Sequence, residues 1–195
     1  MQIHEAVVLA GGKSSRMGRD KALLPFGGYE TLAEYQYRRL ERLFPKVSIS
    51  TRDDKFGFTA PLILDGVDGE SSPMIALSSI LSSIDGEMVF LLGVDMPFVS
   101  EDVILTLVDE ASSARADTDI VVAVGERGRE PLCALYRASL LPVVEDMVER
   151  GNHRMKALLD ESLCREVHIG DIGCFDNLNR PQEYMEALSR YGAEK

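Results

Sequence analysis

Short apolar runs alternate with amphipathic segments along this chain, and that alternation is what most constrains its fold. Strand-like runs are predicted at residues 6–9, 47–50, 62–64, 88–92, 120–123, 133–136 and 166–168. Helical patterns lie between or after them, at residues 32–43, 74–83, 101–111, 140–149, 156–159 and 182–189. Strands that alternate with helices form crossover units, which favour a parallel sheet covered on both faces. The sequence therefore predicts an α/β fold: a three-layer, Rossmann-like arrangement with a mostly parallel sheet.

Length and charge narrow the classes of function. A chain of 195 residues with 45% hydrophobic residues fits a single domain over 1–195, and we see no internal repeat. The formal net charge of -11 disfavours nonspecific binding to nucleic acid or to an anionic membrane, since both partners are negative. The first residues lack the basic and apolar stretches of a signal peptide, so we expect a cytoplasmic protein.

The loop after the first strand is rich in glycine and basic residues. It reads LAGGKSSRMGRDK from Leu9 to Lys21, with Gly11 and Gly12 at its start. Glycines allow backbone amides to approach an anion closely. Arg16 and Lys21 add the positive charge that phosphates require. In an acidic chain this basic loop predicts a nucleotide triphosphate site.

Two common phosphate-binding motifs do not fit this loop. A P-loop requires Lys after its last glycine, but Arg19 follows Gly18. A dinucleotide-binding GxGxxG pattern also fails, because Gly11 and Gly12 are adjacent. What remains is a longer loop with arginine inside it and lysine at its end.

Acidic residues follow two other predicted strands. Asp95 comes after the run at 88–92 and precedes Pro97. A carboxylate at the carboxyl end of a strand is suited to holding a divalent cation against phosphate oxygens, so Asp95 is our predicted Mg²⁺ ligand; capping the next turn is the alternative. Asp65 follows the run at 62–64 and can accept hydrogen bonds from a base or a ribose.

The remaining candidate residues carry little chemistry of their own. Cys133, Cys164 and Cys174 are odd in number and have no CxxC spacing, so we predict reduced packing thiols. The three histidines are scattered and lack the context of a metal or hydrolase site.

Four motifs in order resemble the molybdenum cofactor guanylyltransferases. These are the N-terminal loop, GVDMPF around Asp95, PLCALY at residues 131–136 and FDNLNRP at residues 175–181. The resemblance covers residues 9–181 and implies a nucleotide-diphospho-sugar transferase-like fold. It implies that a magnesium ion binds to Asp95. It also implies that the following residues contact the nucleotide: Leu9, Ala10, Gly11, Gly12, Lys21, Thr51, Asp65 and Asp95. It implies catalytic roles for Arg16, Lys21 and Asp95.

Two further segments concern the molecule that would accept the nucleotide and the recognition of the nucleotide's base. Asn177 and Asn179 match the family's FxNxNxP motif; alternation would put both amides on one face of an extended segment, which suits a pterin. Starting a turn or capping the following helix is the alternative role for Asn179. The family's glycine-rich GPLxGI segment reads Ser72-Pro73-Met74-Ile75-Ala76-Leu77 here, so GTP is inferred less directly than a triphosphate.

The activity implied by the resemblance is Mg²⁺-dependent transfer of GMP from GTP to molybdenum-bound molybdopterin, with release of pyrophosphate. Its partners would be those two substrates and a molybdoenzyme or a delivery chaperone. Three alternatives stay open: a cytidylyltransferase acting on the same cofactor, a nucleotidyltransferase for another small phosphate acceptor, and a noncatalytic nucleotide-binding protein.

Overall fold

A mixed sheet of seven strands forms the centre of the fold, in the order β3-β2-β1-β4-β6-β5-β7. The computed structural model describes residues 3–11, 20–65, 72–171 and 173–193. The strands are β1 Glu5–Leu9, β2 Lys46–Thr51, β3 Leu62–Leu64, β4 Met88–Gly93, β5 Ile120–Gly125, β6 Gly128–Arg137 and β7 Cys164–His168. Every strand of this sheet except β6 runs in the same direction, since β6 pairs antiparallel with both β4 and β5.

Within the described ranges, six α-helices cover the sheet, three on each face. They are α1 Leu32–Leu40, α2 Pro73–Ser83, α3 Glu101–Ser113, α4 Leu141–Glu149, α5 Met155–Glu161 and α6 Pro181–Ala193. Side chains of α1, α3 and α6 pack in one core with Ala6 and Val8, and those of α2, α4 and α5 pack in another with Val7 and Leu9. Successive residues of β1 thus serve opposite faces, as strand geometry requires. The predicted three-layer α/β fold is confirmed.

Most of the predicted helix and strand ends lie within a few residues of those in the structure. Ser100 accepts a hydrogen bond from the Val103 amide at 3.3 Å and so caps α3, which begins at residue 101 as the helical pattern predicts. Helix α1 ends at Leu40 rather than at residue 43, because the chain tightens there into i to i+3 hydrogen bonds. Strand β6 is longer than predicted and starts at Gly128, whose positive φ of 101° closes the hairpin with β5.

The carboxyl ends of β1 to β4 meet at one edge of the sheet, where the site is built. The sheet's hydrogen bonding continues past them: Val94 donates to the Leu9 carbonyl, Ala10 to the Ser50 carbonyl and Asp65 to the Thr51 carbonyl, each at 2.9–3.0 Å. In open α/β sheets this edge is where ligands bind. Among the residues that the structure describes, no helix combines the length and the apolar character that crossing a bilayer would need.

Candidate active site

The centre of the candidate site is an ion pair between Lys21 and Asp95. Lys21 Nζ lies 2.5 Å from Asp95 Oδ2 and 3.2 Å from the amide oxygen of Asn179. Only 21% of the lysine side chain and 11% of the aspartate side chain are exposed. The fold therefore brings together three predicted residues that come from the N-terminal loop, the end of β4 and the C-terminal segment.

Asp95 is held from two sides. Its carbonyl accepts a hydrogen bond from the Leu178 amide at 3.0 Å, which joins the C-terminal segment to the β4 loop. On the other side, a Cβ at Gly93 would lie 2.9 Å from Asp95 Oδ1, a separation that side chains do not tolerate. Gly93 thus leaves the space that the carboxylate occupies.

Two buried polar residues of α1 fix the backbone that follows Asp95. Gln36 donates to the Met96 carbonyl at 3.0 Å. Arg39 donates to the Pro97 carbonyl at 3.0 Å and to the Val99 carbonyl. We call Gln36 and Arg39 the α1 clamp. Sequence reasoning missed it, although two polar residues three apart on the apolar side of a helix were a usable signal.

Gly11 and Asp65 are packed against each other. A Cβ at Gly11 would lie 2.6 Å from Asp65 Oδ2, so only glycine allows this approach. Asp65 is buried, accepts a hydrogen bond from the Ser50 hydroxyl at 3.3 Å, and has its pKa raised mainly by burial. A partly desolvated carboxylate beside the first glycines is well placed to receive hydrogen bonds from a ligand.

Lys55, which sequence reasoning did not single out, also belongs to this edge. Its ammonium lies 2.6 Å from Asp20 Oδ2 and 3.4 Å from the Ala10 carbonyl. The available signal was its position: it follows the carboxyl end of β2, where ligand-facing loops of this fold class begin.

The other predicted nucleotide contacts differ in what they offer. The Leu9 carbonyl and the Ala10 amide are used by the sheet, which fixes the start of the loop. Thr51 is fully buried, and its hydroxyl donates to the Asp53 carbonyl at 3.2 Å, so this side chain serves its own turn. Gly12 and Arg16 lie outside the described residues.

The expected extended segment with two asparagines on one face is wrong. The Asn179 amide donates to the Asn177 carbonyl at 3.2 Å, so the chain turns at the buried Leu178. Asn179 reaches Lys21, whereas Asn177 lines a cavity of about 450 Å³ with Phe98 and Arg190. The turn arises because Leu178 packs inward and donates its amide to Asp95. Glu183, and not Asn179, caps the start of α6 by accepting from the amides of residues 179 and 180.

Ser72, the departure from the glycine-rich family segment, is used by the protein itself. Its hydroxyl accepts from the Ile75 amide at 3.2 Å and so caps α2, and it is 2.8 Å from His153 Nδ1. The hydroxyl is thereby committed to the helix and to the loop before α5.

A divalent cation fits Asp95 by the chemistry of its donor. Over the described part of the chain, no three His, Cys, Asp or Glu side chains form a metal-ligating group. Magnesium needs no such cage, since it takes one or two carboxylates together with waters and substrate phosphates. In the structure this carboxylate already binds a cationic group, the ammonium of Lys21.

The thiols are not suited to reaction or metal binding: burial raises the pKa of Cys164 and of Cys174 to about 11.

Comparison with known proteins shows which family this chain resembles. The family described as MobA-like NTP transferase domain matches residues 6–167. A protein of Campylobacter jejuni named molybdenum cofactor guanylyltransferase is 35% identical over 192 residues, covering 97% of this chain and 98% of that protein. A Helicobacter pylori protein of the same name is 30% identical over 187 residues, covering 93% and 90%.

A solved structure agrees at the level of the fold. Molybdopterin-guanine dinucleotide biosynthesis protein A from Archaeoglobus fulgidus superimposes with a TM-score of 0.80 at 22% identity, over 97% of this chain and 99% of that one. The family model matches most of the length of the chain, and the relative from Campylobacter jejuni is 35% identical to it over nearly the whole length. This chain therefore belongs to the MobA-like NTP transferase family.

Proposed function

We propose that this protein is a molybdenum cofactor guanylyltransferase, which transfers GMP from GTP to the phosphate of molybdenum-bound molybdopterin and releases pyrophosphate. The convergence of Lys21, Asp95 and Asn179 at the carboxyl ends of the strands, the edge to which Asp65 and Gly11 also belong, carries this proposal. The names of the relatives from Campylobacter jejuni and Helicobacter pylori support the same activity and substrates.

The nucleophile of the proposed reaction is the phosphate of the acceptor substrate. An oxygen of the acceptor phosphate forms a bond to the α-phosphorus of GTP, and the bond from that phosphorus to the bridging oxygen breaks, so that the electron pair leaves with pyrophosphate. A phosphate is already ionised at neutral pH, so no protein base is required. Catalysis then depends on positioning and on neutralising charge.

Each residue has a stated part in this reaction. Lys21 neutralises the charge that develops between the α-phosphate and the departing pyrophosphate, and Arg16 assists it. The backbone at Gly11 and Gly12 cradles the phosphates. Asp65 receives hydrogen bonds from the nucleoside, next to the start of the loop. Thr51 stays a proposed nucleotide contact by its place at the carboxyl end of β2, although its hydroxyl donates to the Asp53 carbonyl and its own carbonyl accepts from the Asp65 amide.

Magnesium is the proposed metal, and Asp95 is the residue that would hold it. The ion supplies charge neutralisation at the phosphate oxygens when it is bound. Asn179, which reaches the Lys21 ammonium, and Asn177, which lines the neighbouring cavity, are our proposed pterin contacts. We further propose a cytoplasmic location and delivery of the product to a molybdoenzyme or a chaperone.

Pyrophosphate release tests the proposal directly. The wild-type protein is given molybdenum-bound molybdopterin, Mg²⁺ and, in turn, GTP, CTP, UTP and ATP. Turnover with GTP is expected to exceed that with the other nucleotides. Preference for CTP would assign the protein to the cytidylyltransferases, and no turnover with any nucleotide would favour a binding protein.

Asp95→Asn is the variant that tests the metal site. It removes the charge without changing the shape of the side chain, and we expect turnover to fall by about 10²–10³-fold, as for loss of other charge-stabilising groups. Asp85→Asn is the matched control, because Asp85 is exposed and pairs with Lys46 beyond the opposite edge of the sheet. Near-normal turnover by a folded Asp95→Asn protein would remove Asp95 from the metal site.

A further inference from the structure

Lys55 connects the two ends of the N-terminal loop. The loop leaves the sheet at Ala10 and rejoins the described structure at Asp20, and the Lys55 ammonium contacts both residues. Only 16% of the Lys55 side chain is exposed, so this contact is partly shielded from solvent. A single side chain from the β2 loop thus contacts one residue before and one residue after the segment 12–19.

The contact with Asp20 extends to Lys21. Asp20 Oδ1 accepts from the Ala22 amide at 3.0 Å and caps the short 3-10 turn Lys21–Leu23, while its other oxygen, Oδ2, pairs with Lys55. Both oxygens of Asp20 are therefore engaged. The first residue of that turn is Lys21, whose ammonium reaches Asp95.

The charges around Lys55 explain why this position needs a cation. Asp53 Oδ1 lies 3.9 Å from its ammonium, and Asp20 lies closer. Lys55 also lowers the pKa of Asp65 by its charge, against the larger effect of burial. Without Lys55, these carboxylates would repel the phosphates of an incoming nucleotide.

We infer that Lys55 is a positioning residue for this reaction: it holds Asp20 beside the Ala10 carbonyl and, through Asp20, sets the place of Lys21. This inference rests on the proposed function and adds to it a residue that touches no reacting atom. It also predicts how Lys55 and Asp20 depend on each other.

The test combines Lys55→Met, Asp20→Asn and the double variant. Lys55→Met is expected to lower kcat by about 10²-fold, the effect of a displaced catalytic group, while GTP affinity falls less. Asparagine at position 20 still caps the turn but loses the ion pair. Because both single changes break the same contact, the double variant should be no slower than Lys55→Met alone. Lys55→Arg should recover part of the rate by pairing again with Asp20.

Lys46→Met is the matched control. Lys46 also pairs with two carboxylates, those of Glu5 and Asp85, but at the start of β2, so its loss should leave kcat unchanged. Unchanged kcat in Lys55→Met would overturn the inference, and so would additive losses in the double variant, which would indicate direct contact of Lys55 with the nucleotide. The thermal unfolding temperature of each variant shows whether a lower kcat comes from loss of the fold or from displacement of Lys21 in a folded protein.

Failure of the proposed function gives a different pattern. If the wild type releases no pyrophosphate with any nucleotide, the activity is wrong. GTP titration by calorimetry on the wild type, Lys55→Met, Asp20→Asn and the double variant still tests Lys55, because the coupling between Lys55 and Asp20 should then appear in the affinity for GTP. Additive losses of GTP affinity, or no loss of affinity, would overturn the inference.

Discussion

At the scale of single residues, Gly11 packs so closely against Asp65 that no side chain fits at position 11. We predict that Gly11→Ala weakens GTP binding by at least about 10-fold, because the added methyl meets Asp65 Oδ2 and forces the carboxylate or the loop to move. Gly57→Ala is the control, since a methyl added there would meet nothing within 4 Å. Calorimetric titration measures both. Equal GTP affinities for the two variants would contradict the role given to this glycine.

Asp65 should show a trade between stability and binding. Burial raises its pKa, so as pH rises the unfolded chain ionises this group before the folded protein does, and folding loses stability over that interval. We predict that Asp65→Asn is more stable than wild type at neutral pH and that this gain disappears below the ordinary aspartate pKa of about 3.9. Denaturant unfolding at several pH values measures the difference.

The same variant should bind GTP more weakly. Loss of a charged hydrogen-bond acceptor costs about 1.5–3 kcal/mol, or roughly 10–100-fold in affinity. Asparagine still accepts from Ser50, so the local contact is kept. A variant that is both less stable and equally tight in binding would refute the assignment of Asp65.

At the scale of elements, the α1 clamp ties a helix to the loop that carries Asp95. Arg39→Leu would remove the donor to the Val99 carbonyl and to the Gln36 side-chain oxygen, and would leave the Pro97 carbonyl with the longer hydrogen bond from the Tyr35 hydroxyl at 3.4 Å. The cost is about 1–3 kcal/mol for each buried group that is left unpaired. We predict a loss of about 2–5 kcal/mol in the free energy of unfolding. Arg38→Leu, whose exposed guanidinium pairs with Glu34 and Glu41, should change stability by less than about 1 kcal/mol. Urea denaturation compares the two, and similar losses would show that the clamp adds nothing.

Elements were the part of the fold that the sequence predicted best. Each strand and helix has a counterpart in the predicted pattern, because apolar runs of strand length and helical periodicity record which faces are buried. The reversal of β6 was beyond that signal: a strand buried on both sides is apolar whichever way it runs.

The site was predicted in part, and the reasons are local. Lys21, Asp65 and Asp95 follow from their places at strand ends and in a glycine-rich loop. Lys55 was missed because its role depends on a partner 35 positions away in the chain. The asparagine pair was misplaced because alternation assumes an extended backbone, and the contact between Leu178 and Asp95 bends it.

At the scale of the whole molecule, we propose that residues 1–195 form one domain. The sheet runs without a break from β3 to β7, so the two cores on its faces should unfold together. We predict one thermal transition, with far- and near-ultraviolet circular dichroism in agreement. Mg²⁺ with GTP at about 100 times Kd should stabilise that transition by about 2.7 kcal/mol. Two transitions, of which only one responds to GTP, would indicate two units.

The ion pair between Lys21 and Asp95 has a consequence for the order in which ligands arrive. A metal ion that comes alone must displace an ammonium, and a free triphosphate meets a lysine already held by a carboxylate. A metal–triphosphate complex satisfies both groups in one event, since it brings a cation for Asp95 and an anion for Lys21. If Lys21 and Asp95 bind as proposed, we therefore expect the site to take up the metal–triphosphate complex more readily than the metal ion or the triphosphate alone.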